Sequence, residues 1–107
     1  MKFIFEVKVK KGHTKKQYID AWKEGSTLIQ NSKGAQGTIL YQNTSNPNSL
    51  LAIATWKSKK ERDAAMKKLH QADSITREII TEHRKYGDTT IIGNFEEIAL
   101  IKPKIQK

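Results

Sequence analysis

Residues 34–58 read G-A-Q-G-T-I-L-Y-Q-N-T-S-N-P-N-S-L-L-A-I-A-T-W-K-S. Gly34 and Gly37 punctuate the start, and Thr38–Thr44 and Leu50–Trp56 are both β-prone runs. Asn46-Pro47-Asn48 between them has turn chemistry, so the stretch predicts a β-hairpin. Ser58 with Glu61 three residues later has the form of a capping box, which predicts a helix opening directly after the second strand. In that helix Ala65, Met66 and Leu69 share the inward face.

Upstream, Lys2–Lys10 alternates, with Phe3, Phe5, Val7 and Val9 on one face and Ile4, Glu6 and Lys8 on the other. This is the pattern of a half-buried strand. Thr14 and Gln17 form a second potential capping box. A helix to about Ser32 follows, with Tyr18, Ala21, Trp22, Gly25, Leu28 and Ile29 on one stripe. Downstream, Asp73-Ser74 restarts the chain. A helix over about Ser74–Tyr86 is expected to place Ile75, Ile79, His83 and Tyr86 on one stripe, and Gly87-Asp88 ends it. The last strand is expected over Thr89–Ile101.

The order β, α, β, β, α, α, β with short connections predicts an α+β ferredoxin-like plait, an antiparallel sheet with its helices on one face. Leu51, Ile53 and Thr55 lie on the strand side opposite Ala52, Ala54 and Trp56, so the uncovered face is partly apolar. Two sheets closing face to face would bury it, which predicts a homodimer.

The chain of 107 residues is read as one domain, with a basic tail at about 102–107. It contains no cysteine, which excludes disulfides, thiolate metal sites and cysteine nucleophiles and fits a reducing, cytoplasmic setting. The apolar stretch of M-K-F-I-F-E is too short for a signal sequence or a membrane span. The net charge of +9 comes from 17 lysines against three arginines. The lysines concentrate at Lys8–Lys16, Lys57–Lys60 and Lys102, Lys104 and Lys107. A lysine-rich surface reads first as a solvated face that keeps a small protein in solution, and second as a weak, salt-sensitive attraction for anions or RNA. Against RNA, Phe3 and Phe5 share the helix-facing side and leave no aromatic platform outside. No G-x-G-x-x-G, P-loop, G-x-S-x-G or metal-spaced His/Asp/Glu cluster occurs.

Lys11-Gly12 at the end of the first strand, the long helix, G-A-Q-G-T-I-L-Y, the strand L-L-A-I-A-T-W-K-S and a following helix carrying His70 together resemble the antibiotic biosynthesis monooxygenase family of dimeric α+β barrel proteins. The similarity runs from about Phe3 to Phe95. It implies a dimer whose protomers each hold a cavity between helices and sheet. In the family's enzymes it implies oxygenation of a small aromatic, quinol or anthrone in type, by O2 with neither metal nor organic cofactor.

The resemblance assigns catalytic roles to Trp56, the strand-end tryptophan, and to His70 as base or hydrogen-bond donor. Ala52 and Ala54 share the face of Trp56 and would leave space for a flat ligand. With Ala52, the candidate substrate-binding residues are Trp22, His83 and Tyr86. The matching structural roles are a core tryptophan and core or solvated histidines, and His13 lies in a polar turn. The chain departs from the family pattern at two places. Ala52 stands where the anthrone oxygenases carry an asparagine, and Val7 where the haem-degrading branch does, while Ile75 and Thr76 occupy the region of that branch's haem-ligand histidine. Beside a cofactor-independent monooxygenase, the alternatives are a non-catalytic ligand-binding or stress-response barrel, a haem-degrading enzyme and a basic RNA-binding module.

Overall fold

The computed structural model describes residues 1–105; the tail lysine Lys107 lies outside them. Its elements are β1 (Lys2–Val9), α1 (Lys15–Ile29), β2 (Ala35–Gln42), β3 (Ser49–Trp56), α2 (Lys59–His70), α3 (Ser74–Thr81), a 3-10 turn (Glu82–Lys85) and β4 (Gly87–Phe95). The strands form one antiparallel sheet in the order β2-β3-β1-β4, the ferredoxin-like α+β arrangement that the alternation and caps predict.

The register builds the floor of the molecule. Phe3 lies opposite Ala54, Phe5 opposite Ala52 and Val7 opposite Leu50, so the alternating apolar positions of β1 and β3 share the helix-facing side. The tightest cluster is Val7 (0 % exposed), Tyr18 (0 %) and Leu50 (2 %), with Phe5, Val9, Trp22, Leu40 and Tyr86 against it. The opposite face stays uncovered. There Ile4 pairs with Ile53, Ile39 with Ile53 and Tyr41 with Leu51, and Ile39 and Tyr41 remain largely exposed.

The first capping box forms in full. The N–H of Gln17 donates to Thr14 Oγ1 (3.1 Å) and the N–H of Thr14 to Gln17 Oε1 (2.9 Å). The second forms only by half. The N–H of Glu61 donates to Ser58 Oγ (3.1 Å), but the Glu61 carboxylate does not return to the Ser58 backbone. It lies instead against Gly34, where a β-carbon would come within 2.1 Å of its Oε2. Gly34 also has φ +88, so glycine is required there on two grounds.

Three local expectations need correction. Strand β4 ends at Phe95 rather than Ile101, because Phe95 already pairs with Lys2 and β1 offers no partner further along. A register shift between Ile4 and Phe5 inserts Ile92 as an extra residue, so that Phe95 rather than Asn94 reaches Lys2. The helix from Ser74 becomes a 3-10 turn after Thr81, which swings the chain so that Tyr86 C=O accepts from Lys10 N–H (2.9 Å). On α3 the buried residue is Ile80 (4 % exposed), while Ile75 stands at 70 %. Five residues turn a helix by about 140° beyond a full circle, so Ile75 and Ile80 cannot share the face that packs on α1. A β-carbon on Gly25 would meet Ile79 O at 3.2 Å and Ile80 Cα at 3.3 Å, showing how closely α1 and α3 approach. Asn43 Oδ1 accepts from the N–H groups of Ser45 and Asn46 (2.8 and 3.1 Å), a turn that ends β2 at Gln42 instead of Thr44.

Candidate functional site

A cavity of ≈ 140 Å³ lies between the helices and the Trp56 end of the sheet. Its floor comes from the register just described: Phe3 and Phe5 from β1, Ala54 and Trp56 from β3 and Thr38 from β2. The two phenylalanine rings sit 5.8 Å apart at 47°, and the Arg62 guanidinium stacks 4.0 Å from the Phe3 ring centre, a cation–π contact that fixes the outer ring. Trp56 is 2 % exposed. Its backbone is pinned to the start of β1, donating to Met1 C=O (2.8 Å) and accepting from the Met1 ammonium (2.9 Å).

The roof is α1, which contributes Trp22, Gly25, Ser26 and Ile29 at helical spacing. Met66 and His70 come from α2, Ile80 and Thr81 from α3, and His83 and Arg84 from the 3-10 turn. The walls are mostly apolar and aromatic, and the polar groups are few, a composition suited to a flat organic ligand.

Of the residues singled out in the sequence, Trp22, Trp56, His70 and His83 line the cavity, and Ala52 and Tyr86 do not. Ala52 is fully buried between Phe5 and Leu40, one step too far towards the packed end; Ala54 holds the place of the small residue beside the cavity. Tyr86 turns away, stacking edge-on against His13 at 5.3 Å and donating its hydroxyl to Glu82 Oε1 (3.2 Å). The 3-10 turn causes this, since it breaks the helical stripe that would have aligned Tyr86 with His83.

The two imidazoles differ. His70 Nδ1 lies 2.7 Å from Met66 C=O, and since a carbonyl can only accept, Nδ1 carries the proton. With Nδ1 committed to Met66, Nε2 is the ring nitrogen left to act on a ligand, as a general base requires. His83 is partly buried and packs edge-on against Tyr18 (5.8 Å, 85°). Burial, and secondarily the Arg84 cation, hold its pKa below the ordinary imidazole range, opposed by a hydrogen bond to the Ile80 backbone, so it is neutral at pH 7.

Phe3, Phe5, Ser26, Thr38 and Arg84 also line the cavity without having been singled out. The alternation of β1 already placed both phenylalanines on the helix side, and Ser26 sits four residues beyond Trp22, so the signals were present. Arg84 had none, because its position depends on the 3-10 turn. Among the described residues, no three His, Cys, Asp or Glu side chains gather at metal-binding distances, and no helix is long and apolar enough to cross a membrane.

The fold is shared with SnoaB, a cofactor-independent oxygenase from Streptomyces nogalater, at TM-score 0.76 and 14 % identity, over 94 % of this chain and 96 % of that one. A conserved protein from Methanosarcina mazei matches at TM-score 0.64 and 15 % identity, over 88 % of this chain and 91 % of that one. A conserved protein of unknown function from Bacteroides thetaiotaomicron matches at TM-score 0.65 and 11 % identity, over 84 % and 89 %. No curated protein matches the sequence significantly. The sequence profile of the antibiotic biosynthesis monooxygenase family matches residues 1–77, which takes in every strand and helix that walls the cavity except the second half of α3 and the 3-10 turn, and the chain belongs to that family.

Proposed function

We propose that the protein is a cofactor-independent monooxygenase that oxygenates a small phenol or quinol with O2 and works as a homodimer. Family membership and the fold shared with a cofactor-independent oxygenase support a monooxygenase-like role. The observation that carries the finer reading is the aromatic cavity with His70 at its edge, Nδ1 satisfied by Met66 and Nε2 open. A cavity of ≈ 140 Å³ matches one aromatic ring, since a void of about 150 Å³ accepts benzene. This favours monocyclic quinols over three-ring anthrones.

In this reading the substrate ring lies between Trp22 and Trp56. His70 Nε2 removes the phenolic proton, and the phenolate passes one electron to O2. Aryloxyl radical and superoxide combine at a ring carbon, and the hydroperoxide loses water. Hydroquinone and O2 thus give hydroxyquinone and water, with one oxygen atom in each product. Aromatic walls keep bulk water from the radical pair, and Arg84 at the mouth supports the phenolate. The absence of cysteine fits action in the cytoplasm.

The dimer rests on the uncovered sheet face, where Ile4, Ile39, Tyr41, Leu51 and Ile53 form an apolar band too continuous for a face meant for water. A second reading, a ligand-binding barrel without turnover, draws on the exposure of His70, because a base open to water is poorly placed to protect a reactive intermediate.

The test is oxygen uptake by metal-free protein with a panel of monocyclic quinols and anthrones, in wild type, Trp56→Phe and His70→Ala. Uptake that falls at least about a hundredfold in His70→Ala agrees with general-base catalysis. Ligand binding with uptake no faster than the uncatalysed rate would replace the oxygenase with the second reading.

A further inference from the structure

The cavity is one-sided in charge. No aspartate or glutamate lines it among the described residues, and Arg84 is the one lining side chain that is charged at every physiological pH. Arg84 is exposed while lining the cavity, as His70 is, so both stand at its rim. Among the described residues no carboxylate lies within ion-pair distance of the Arg84 guanidinium. Glu82, the nearest acid in sequence, is already held by Lys85 Nζ (2.8 Å) and by the Tyr86 hydroxyl (3.2 Å). Arg62 is committed elsewhere, to Asp63 (3.2 Å) and to the face of Phe3. The Arg84 charge reaches the cavity wall, since it helps to depress the pKa of the adjacent His83.

The neutral polar groups sort into donors and acceptors. Gln30 Oε1 accepts from the N–H of Gly37 (2.7 Å), so its NH2 group is what a ligand meets. Thr38 and Thr81 donate their hydroxyl protons to Ile53 C=O (3.3 Å) and Arg77 C=O (2.8 Å), and present lone pairs instead. Arg84 and Gln30 therefore suit an anion, and Thr38 and Thr81 suit neutral hydroxyls. Unsubstituted hydroquinone uses only the second pair and leaves the guanidinium to water. The net charge of +9 also draws anions towards the molecule.

We propose that the substrate is an acidic monocyclic phenol or quinol, its ring inside the cavity and a carboxylate, on the ring or on a short side chain, held at the rim by Arg84. The inference rests on the oxygenase reading for its chemistry and narrows the substrate. A volume of ≈ 140 Å³ takes up the ring alone, so the acidic group lies at the mouth, where Arg84 stands. A guanidinium matches a carboxylate with two parallel N–H···O bonds, so the contact sets the orientation of the ring as well as its affinity. The carboxylate is unchanged by the reaction: the quinol ring and O2 give the hydroxyquinone and water, as for hydroquinone.

The test uses 2,5-dihydroxyphenylacetate, its methyl ester and hydroquinone as probes. The methylene keeps the charge out of conjugation with the ring, so acid and ester differ chiefly in charge. Anaerobic calorimetry reads binding and oxygen uptake reads turnover, in wild type, Arg84→Gln, Arg84→Lys and Lys67→Gln, the last a control on the exposed face of α2. The acid should bind wild type at least about fivefold more tightly than the ester, the size of a partly exposed ion pair. That preference should vanish in Arg84→Gln, persist in part in Arg84→Lys and persist in full in Lys67→Gln, where only the general attraction for anions is altered. Equal binding of acid and ester to wild type, or a preference that survives Arg84→Gln, overturns the acidic substrate, and hydroquinone turnover then judges the oxygenase by itself. Selective, Arg84-dependent binding of the acid with no oxygen uptake from any probe supports the carboxylate contact and overturns the oxygenase.

Discussion

The helix-facing side of the sheet is solid at the Gly87 end and hollow at the Trp56 end, although the same strands and the same stripe of α1 build both. At the solid end α1 presents Tyr18, whose ring presses on Val7 and on the missing side chain of Gly87; a β-carbon there would lie 2.6 Å from Val7 Cγ1 and 2.8 Å from Tyr18 Cδ2. Two turns along, α1 presents Gly25 and Ser26 above Ala54, and the space stays open. The difference lies in side-chain size along one helical stripe, not in topology. A scaffold of this kind can be hollowed locally without loosening the packing that holds it together.

That contrast can be broken by enlarging one residue at each end. Gly87→Val should destabilise the protein by about 3 kcal/mol in urea melts, because no void exists to take the added atoms. Ala54→Leu should cost under about 1 kcal/mol of stability, yet weaken binding of a monocyclic aromatic at least about tenfold by calorimetry. Equal destabilisation by the two substitutions would mean that the ends do not differ as described.

A finer probe lies where the two regions meet. The Tyr18 hydroxyl is buried without a hydrogen-bond partner among the described residues, and its pKa is raised by desolvation. Tyr18→Phe should therefore stabilise the fold, by about 1 kcal/mol. A loss of stability would show that the hydroxyl has a partner in solution. The smallest effect concerns pH. His83 has a folded-state pKa below its unfolded value, so the unfolded chain takes up that proton more readily. The stability tied to its neutral form is present above about pH 6.5 and is lost as pH falls below that value. Replacing His83 by Gln should flatten that part of the pH–melting curve, and an unaltered slope would assign it to other groups.

Strand alternation in Lys2–Val9, the Thr14–Gln17 box and the turn at Asn46-Pro47-Asn48 made the plait readable, because each acts within a few residues. What failed to read depends on distant partners. The end of β4 is decided by where β1 stops, and the fate of the Glu61 carboxylate by Gly34 some 27 positions away. The helical stripe through Ile75 and Tyr86 assumed an unbroken α-helix facing α1 through Ile75; α3 instead buries Ile80, and the 3-10 turn diverts Tyr86 at the far end. The cavity was legible through residues on regular elements, Trp22, Trp56 and His70, and not through Arg84. Ala52 and Ala54 share a strand face, and only the three-dimensional filling of one end by Tyr18 distinguishes which of them borders empty space.

The hollow has a thermodynamic consequence. At about 24 cal/mol per Å³, a void of ≈ 140 Å³ represents at most about 3 kcal/mol of packing that the unliganded chain goes without. For a domain with a stability of about 5–15 kcal/mol that is a sizeable fraction. A compound that fills the space restores those contacts in the folded state alone, so the melting temperature itself becomes a reporter of occupancy. Screening small phenols by thermal shift would rank candidate substrates before any turnover is measured.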